Sequence, residues 1–426
     1  MNTVTSKGIT VVKHFSTTII VGAGQAGLAM SRELTVRNID HCLLERGRIG
    51  QSWRDRRWKS LRLQTPNWAN GLPAVADPDP DPDGFLLASA FAERLDRYAG
   101  LISAPAQEGC EVFAAQVHER GFELATNRGE FVCEALVVAT GACASPLVPP
   151  IAKTLQDNLL QLTASNYQRP EKLPEGGVLV VGASASGVQI ATELQASDRQ
   201  VILATGNHLR LPRSYRGRDI EWWLEAIGSL DERFDEVDDL LRVRQTPSPQ
   251  LTGWPQKVDI GALQDRGVEV VGRLTGVRDD VLLFSGGIAH VCMVADLKLS
   301  RLCRRIDDWA ASNLPSAVFP PAEALKPTPV PQDPRLKLDL NSGEIRTIVW
   351  ATGYRPDYSW LRLPVFDKHR GQLDHHGGVV TSAPGLYVLG LPFQRRRRSA
   401  LISGAGPDAH DIAEHLVAGL RSRLAA

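Results

Sequence analysis

Two glycine-rich segments contain the residues of this 426-residue chain that are best suited to bind phosphate. Each segment is an apolar, β-branched run followed by three small residues at the same spacing. The small residues are Gly22, Gly24 and Gly27 in the first segment and Gly182, Ser184 and Gly187 in the second. This pattern is typical of a buried parallel strand that turns sharply into a helix, whose free N–H groups attract a pyrophosphate. Two such segments predict two dinucleotides, one a flavin and one a nicotinamide nucleotide.

Charged residues near the two segments suggest how each ribose is recognised. Glu45 ends the apolar run after the first glycine segment, where an acid accepts hydrogen bonds from ribose hydroxyls. The alternative is a surface charge at a strand end. After the second segment, no acid ends the next strand, and Arg210 and Arg213 follow instead. Guanidinium groups suit a ribose 2′-phosphate, which favours NADPH over NADH, although these arginines could also face solvent or pair with acids.

The elements that position these residues form two units. One βαβ unit is predicted from Ser16 to Glu45, and another from Val178 to Thr205. A repeated Ala-Thr-Gly turn, at 139–141 and 351–353, is predicted to mark strand ends where the chain crosses between domains. The sequence therefore predicts an α/β fold with two Rossmann-like dinucleotide-binding domains. The second domain, residues 156–335, is inserted into a discontinuous first domain, residues 1–155 and 336–426.

Composition excludes several other functions. The 48 basic and 48 acidic residues cancel, so no overall field attracts nucleic acid or an anionic membrane. The chain has no apolar run long enough to span a bilayer and no secretory stretch at its start, which predicts a cytoplasmic location. The six cysteines form no Cys-x-x-Cys pair, so we expect core residues and no metal or dithiol site. The run Arg395–Arg398 is interpreted as a loop near the cofactors or a solvated turn.

Further motifs occur in a recognisable order from Ser16 to Leu420. Besides the two glycine segments, they are Leu43–Arg46, Gly50–Arg54, Ser60–Pro66, Leu211–Gly217, Val258–Leu263, Ala351–Tyr354 and Ser403–Ala409. In this order the chain resembles the class B flavin-dependent monooxygenases. The resemblance is closest to a bacterial branch of flavoprotein oxidoreductases and extends to the plant enzymes that oxidise indole-3-pyruvate.

The resemblance implies FAD in the first, discontinuous domain and NADPH in the inserted one. It places Gln64 and Thr65 beside the flavin ring, as candidate catalytic contacts, and the positive end of the last helix, near Asp408, at the ring's pyrimidine edge. Trp53 would lie along the ribityl chain, or it is simply a core aromatic residue. Together, the patterns and the resemblance predict FAD contacts from Gly22, Gly24, Gln25, Ala26, Gly27, Glu45, Arg46, Gln51, Ser52, Trp53, Leu63, Gln64, Val112, Ala139, Thr140, Gly141, Thr352, Gly353, Gly404 and Asp408. They predict NADPH contacts from Gly182, Ser184, Ser186, Gly187, Arg210 and Arg213.

The activity implied by the resemblance is monooxygenation of a small organic substrate. NADPH reduces the flavin, O2 adds to give a hydroperoxide, and one oxygen atom passes to nitrogen, sulfur or carbon. The chain departs from the family at Thr163, where a histidine is expected, and it lacks the later aromatic residue of Baeyer–Villiger enzymes. Two alternatives therefore stay open: an NADPH-dependent flavin reductase or oxidase that releases H2O2, and a non-catalytic flavin-binding partner protein. No nucleic-acid or membrane partner is predicted, and a homodimer is compatible with the sequence.

Overall fold

The fold is built from short parallel strands alternating with helices. The computed structural model describes residues 2–6, 9–74, 80–252, 258–315, 320–322, 325–368 and 371–424. The helices are α1 (Gln25–Val36), α2 (Gln51–Asp55), α3 (Ala88–Leu101), α4 (Ala185–Ala196), α5 (Ile220–Ala226), α6 (Leu240–Arg244), α7 (Ile260–Asp265), α8 (Ile288–Asn313) and α9 (Ala405–Leu424). The strands are β1 (Asn2–Ser6), β2 (Ile9–Val21), β3 (His41–Glu45), β4 (Ala106–Glu108), β5 (Val112–His118), β6 (Gly121–Thr126), β7 (Gly129–Val138), β8 (Ser145–Pro146), β9 (Leu160–Thr163), β10 (Gly177–Val181), β11 (Val201–Ala204), β12 (Arg210–Pro212), β13 (Ser214–Tyr215), β14 (Arg218–Asp219), β15 (Gln250–Thr252), β16 (Glu269–Val271), β17 (Leu274–Arg278), β18 (Val281–Phe284), β19 (Lys337–Asp339), β20 (Ile345–Trp350), β21 (Tyr354–Arg355) and β22 (Leu386–Val388).

The first sheet has the strand order β4-β3-β2-β7-β6-β5, with β1 also paired to β2 and β22 to β7. Strands β4, β3, β2, β7 and β22 are parallel, whereas β5 and β6 continue from β7 as an antiparallel meander. Helix α1 connects β2 to β3 and packs against α9 through small, fully buried residues such as Ala29, Ala409 and Ala413. This packing brings the start of the last helix next to the first glycine turn.

The second sheet has the order β16-β11-β10-β20-β9, and all of its strands are parallel. Every residue of β10 and β11 is buried, which explains why these strands are continuous apolar runs. Helix α4 connects them, as α1 connects β2 and β3. The predicted α/β fold with two Rossmann-like units is confirmed.

The two sheets divide the chain differently from the predicted boundary at residues 335 and 336. Strand β20 lies between β10 and β9 in the second sheet, and β19 pairs with β18 of the second unit. The segment from 337 to 350 therefore belongs with the second unit, although the sequence prediction gave it to the first. The chain leaves the second sheet only after Trp350, at the end of β20.

The two crossings between the units lie side by side. The first Ala-Thr-Gly turn follows β7 and the second follows β20, so both stand at strand ends, as predicted. Beyond them, β8 and β21 pair antiparallel, and the backbone N–H of Leu147 donates to the carbonyl of Gly353 at 2.9 Å. The units are thus joined by a short two-stranded ribbon.

Other features of the described residues bear on function. Five cysteines are buried and Cys143 is exposed. None of the described helices is long and apolar enough to cross a membrane. In the same part of the chain, no group of three or more His, Cys, Asp or Glu side chains is arranged to hold a metal ion.

Candidate functional site

The first glycine turn needs glycine at two of its three positions for steric reasons. Gly22 has a φ of 107°, and a Cβ on it would lie 2.6 Å from the carbonyl oxygen of Ala139. A Cβ on Gly27 would overlap the carbonyl oxygen of Gly22. Gly24 differs, because a Cβ there would meet no atom within 4 Å. Gly22 and Gly27 therefore build the turn, whereas Gly24 faces an open space.

That open space lies before the N-terminus of α1. Gly24 is the N-cap residue, and no described side chain caps the helix or places an acid in its first turn. The N–H groups at the start of α1, at Gln25 and Ala26, are thus available to an anion and lie at the positive end of the helix dipole. The indole N–H of Trp53 donates to Oε1 of Gln25 at 3.1 Å, and its ring packs edge-on against Phe91. The arrangement fits a dinucleotide pyrophosphate.

Glu45 is tied to the first glycine turn. One carboxylate oxygen accepts from the backbone N–H of Ala23 at 2.9 Å and the other from that of Gly47 at 3.0 Å. Both carboxylate oxygens of Glu45 are thus bonded to backbone, which holds the side chain at the turn. Because each carboxylate oxygen has a second lone pair, Glu45 can still accept from ribose hydroxyls. The backbone N–H of Cys110 donates to the carbonyl of Glu45, which brings the segment leading to Val112 to the same place.

Arginines accumulate beside Glu45. Burial, followed by the charges of Arg46 and Arg57, lowers the pKa of Arg56. The guanidinium of Arg57 lies over the ring of Trp53, at 5.4 Å from its centroid. Sequence reasoning picked out Arg46 and missed Arg56 and Arg57, although two adjacent arginines after Trp53 are a visible signal for an anionic ligand. Gln51 is engaged in the same segment, since its Oε1 accepts from the N–H of Arg48 at 3.0 Å, while Ser52 is exposed.

The two candidate flavin-ring residues have different surroundings. The side chain of Gln64 faces the second unit, with Nε2 at 3.5 Å from the carbonyl of Pro249, and the backbone carbonyl of Gln64 accepts from Arg213. Thr65 instead donates to Asn70 within its own loop. Leu63 is buried and fixed by its backbone N–H, which donates to Leu86 at 2.8 Å. Of the two, only Gln64 is placed where the units meet.

The Ala-Thr-Gly turns each support a glycine turn. The carbonyl of Ala139 lies against Gly22, and that of Ala351 lies against Gly182. Thr352 donates to the carbonyl of Leu147 in the ribbon between the units, whereas the buried hydroxyl of Thr140 has no partner among the described residues. Gly141 and Gly353 have φ values of 77° and 97°. The backbone of these motifs shapes the two glycine turns and the crossings between the units.

The second glycine turn repeats the first. Gly182 has a φ of 109°, and a Cβ on Gly187 would overlap the carbonyl oxygen of Gly182. Ser184 is the N-cap of α4 with φ −82° and ψ −175°, close to the −86° and −171° of Gly24. Its hydroxyl does not cap the helix, so it is available at the N-terminus together with Ser186. The equivalent residue of the first turn, Gly24, faces open space, which explains why a serine side chain is tolerated at position 184.

Arg210 and Arg213 are paired with acids, which was the alternative to phosphate binding. Arg210 bonds to Asp296 at 2.9 Å and lies 3.6 Å from Asp259. Arg213 is buried, bonds to Asp219 and reaches across to the carbonyl of Gln64. Because of these ion pairs, neither guanidinium is free at the end of β11, where a ribose 2′-phosphate was expected.

Arg273 occupies that position instead. Strands β11 and β16 end side by side, with Ala204 opposite Val271. A Cβ on Gly206, just beyond β11, would lie 3.4 Å from Nε of Arg273, which is exposed. Sequence reasoning missed Arg273, because only the pairing of two strands distant in sequence places it there.

The altered family fingerprint lies at a junction of the units. The hydroxyl of Thr163 is held within its own turn, at 3.1 Å from Oδ1 of Asn166. Tyr167 is fully buried and donates to Glu193 of α4 at 3.0 Å. The same carboxylate accepts from Ser60 of the first unit at 2.7 Å. Thr163 thus stands at a strand end beside a contact between the units.

Each arginine of the run 395–398 forms an ion pair. Arg395 and Arg396 bond to Asp411 of α9, and Arg396 also bonds to Asp408. Arg397 bonds to Glu232, and Arg398 bonds to Glu225 and Asp231 at 2.8 Å each. The run therefore holds the inserted unit to the first turn of the last helix. That helix begins at Ala405, and Gly404 before it lies against the carbonyl of Arg398.

Glu221 is a buried carboxyl that sequence reasoning missed. It lies in the first turn of α5, where burial raises its pKa to about 7. The guanidinium groups of Arg213 and Arg398 oppose that rise, while Asp219 and Glu225 add to it. In a sequence, a buried helix position is recognised by an apolar residue on the inner face of the helix. A glutamate at such a position does not indicate burial.

The stability of the protein is expected to fall as the pH rises from about 4.5 to about 7 because of Glu221. The folded-state pKa of about 7 lies above the ordinary 4.5, so the ionised form opposes folding. Glu221→Gln removes this cost and should stabilise the protein by up to about 3 kcal/mol above pH 7, with no gain near pH 4. Thermal unfolding of both proteins across this range measures the effect. Glu225→Gln, on the same helix but half exposed, is the control, and an equal gain at every pH would contradict the assignment.

Two glycine turns of matching geometry, each in its own parallel sheet, are typical of oxidoreductases that bind two dinucleotides. Residues 19–237 match the pyridine nucleotide-disulphide oxidoreductase family, and the chain belongs to it. The chain is 33% identical over 410 residues to an uncharacterised CzcO-like oxidoreductase of Geobacillus kaustophilus, covering 95% of this chain and all of that one. It is also 28% identical to the probable indole-3-pyruvate monooxygenase YUCCA9 of Arabidopsis thaliana, over 93% of this chain and 88% of the relative.

A solved structure shares the whole fold. It is a flavin-containing monooxygenase from Stenotrophomonas maltophilia, with a TM-score of 0.65 at 16% identity, covering 95% of this chain and 99% of that one. The resemblance to the class B flavin-dependent monooxygenases is confirmed, and the chain is an oxidoreductase. The family's name mentions disulphides, but all six cysteines of this chain are free.

Proposed function

We propose that the protein is a flavin-dependent monooxygenase that binds FAD at the first glycine turn and NADPH at the second. The observation that carries the proposal is the meeting of the two sites. Arg213 and Pro249 of the second unit contact Gln64 of the loop expected beside the flavin ring. Hydride transfer requires the two rings to stack, and contacts between the two units at Gln64 support the proposal that both cofactors meet there.

The chain's own residues position the cofactors and exclude water. The free N–H groups of α1 and the arginines around Arg56 would hold the FAD pyrophosphate, and Glu45 would hold its ribose. The start of α4 with Ser184 would hold the second pyrophosphate. When bound, the cofactors supply the redox chemistry, in which NADPH provides two electrons and O2 provides the oxygen atom for a small organic substrate. The predicted site residues include no acid–base dyad, which agrees with a protein that positions its cofactors and leaves the redox chemistry to them.

The proposal is tested on the purified full-length protein. A flavin absorbance spectrum, bleached by NADPH without oxygen, is expected. On admission of air with a thioether or a 2-oxo acid as probe substrate, NADPH should be consumed with formation of oxidised product and little H2O2. Peroxide equal to the NADPH consumed with every probe would favour the oxidase alternative, which Thr163 at the fingerprint position supports. A flavin that NADPH never bleaches would contradict both and leave the non-catalytic alternative.

We infer that Arg273 selects NADPH over NADH by binding the ribose 2′-phosphate. Arg273→Ala is expected to raise the Kd of NADP+ about tenfold and leave that of NAD+ unchanged, since only the former carries the phosphate. Titration calorimetry measures both. Arg278→Ala, an exposed arginine at the other end of β17, is the matched control. Equal weakening of the two nucleotides by Arg273→Ala would contradict the assignment.

A further inference from the structure

Gln250 lies on β15, directly beside the second glycine turn. Its side chain has no exposed surface, and its backbone is fixed opposite Arg210 by the pairing of β15 with β12. Nε2 donates a hydrogen bond to the carbonyl of Ala183, between Gly182 and Ser184. This bond fixes the orientation of the amide, because the reverse orientation would bring two oxygens together.

The amide oxygen of Gln250 is left without a donor. In the part of the chain that the structure describes, nothing donates to Oε1. Gln394 is equally buried, yet it uses both ends of its amide, since Nε2 donates to Val388 and Oε1 accepts from the N–H of Leu391 at 3.1 Å. A buried carbonyl without a donor is destabilising, and nearly all such groups are satisfied by protein, water or ligand. Oε1 of Gln250 therefore requires a donor from outside the described chain.

The residue before Gln250 contacts the other unit. The carbonyl of Pro249 lies 3.5 Å from Nε2 of Gln64, and Arg213, just after β12, donates to the carbonyl of the same glutamine. Gln250 thus stands between the turn proposed to hold the second pyrophosphate and the loop proposed to lie beside the flavin ring. A nucleotide that extends from this turn toward the flavin must pass next to it.

We propose that Gln250 positions the nicotinamide half of the bound NADPH by accepting a hydrogen bond at Oε1. The ribose hydroxyls and the carboxamide N–H of that half are the donors of suitable chemistry. The proposal rests on the proposed function, since it requires a nicotinamide nucleotide at the second turn. Because Oε1 has no surface exposed to solvent, the donor reaches it only if groups around the turn move on binding. Nucleotide binding is thereby coupled through Pro249 to Gln64.

The test uses Gln250→Met in the full chain with its flavin bound, measured without turnover. Calorimetric titration with NADP+ is expected to show a Kd raised about tenfold, while the Kd of 2′,5′-ADP, which lacks the nicotinamide half, stays unchanged. The change that NADP+ causes in the flavin absorbance spectrum should shrink at saturation. Gln394→Met is the matched control: it removes a satisfied amide, so it should lower thermal stability and leave the Kd of NADP+ unaltered.

Each other outcome has a definite meaning. An unchanged Kd for NADP+ in Gln250→Met overturns the proposal, and so does equal weakening of NADP+ and 2′,5′-ADP, which would show that the amide only supports the turn. If the methionine variant does not fold, Gln250→Asn, with the same amide on a shorter stem, allows the same comparison. A wild-type protein that binds neither ligand would contradict the proposed function itself. Failure of the proposed function is thereby distinguished from failure of the proposal about Gln250.

Discussion

Gly27→Ala is expected to yield protein without bound flavin and with strongly reduced stability. A Cβ at this position would overlap the carbonyl oxygen of Gly22, which belongs to the backbone of the turn between β2 and α1. The clash cannot be relieved by rotating a side chain, so the helix must move away from the sheet, at a cost of about 3 kcal/mol or more. The ratio of flavin to protein absorbance and the thermal unfolding temperature measure the two effects.

Gly24→Ala separates binding from folding in the same turn. Its Cβ would meet no atom within 4 Å, and its φ of −86° suits any residue, so the variant should fold with wild-type stability. The added methyl would stand before the N-terminus of α1, in the space proposed for the pyrophosphate. We therefore expect lower FAD affinity in a stable protein. Full flavin content in Gly24→Ala would show that the phosphate lies elsewhere, and full flavin content in Gly27→Ala would show that the turn can relax.

Local patterns in the sequence predicted those parts of the fold that depend on local backbone geometry. The positive φ of Gly22 and Gly182 and the close approach of each helix to its strand follow from residues within one turn of one another. Glu45 was predictable for a similar reason, since a fixed spacing along a βαβ unit places it at the turn. Such relations do not depend on the rest of the chain.

The incorrect or missing predictions involve residues brought together from distant parts of the chain. Arg210 pairs with Asp259 and Asp296, which lie on other elements of the second unit, and no spacing rule connects them. Arg273, which we propose binds the 2′-phosphate, lies beyond the end of β11 because β16 ends beside β11. The boundary at residue 336 was placed too early for the same reason, since only the sheet order shows that β20 returns to the second unit.

Arg396→Ala is expected to destabilise the protein by about 3 kcal/mol, because it removes the ion-pair partner of a buried carboxylate. Nη1 of Arg396 lies 2.8 Å from Oδ1 of Asp408, whose side chain is 0% exposed, in the first turn of α9. Burial already raises the pKa of Asp408, and the charge of Arg396 opposes that rise. Without Arg396 the pKa should rise further. Thermal and denaturant unfolding at pH 5 and pH 8 measure the loss.

Arg397→Ala is the matched control, since it is the same substitution one residue along. Arg397 and its partner Glu232 are 36% and 33% exposed, so their ion pair is worth about 1 kcal/mol or less. Similar losses in the two variants would show that the burial of Asp408 does not determine the cost of removing its arginine.

The pH dependence identifies the group responsible. A raised folded-state pKa means that ionised Asp408 opposes folding, so the loss in Arg396→Ala should be larger at pH 8 than at pH 5, because a lower pH favours the neutral carboxyl. Adding Asp408→Asn to Arg396→Ala removes the charge and should recover much of the loss at pH 8 and little at pH 5. If the double variant recovers nothing at pH 8, the cost lies in the contact between Arg396 and Asp411, and the start of the last helix does not depend on a neutralised aspartate.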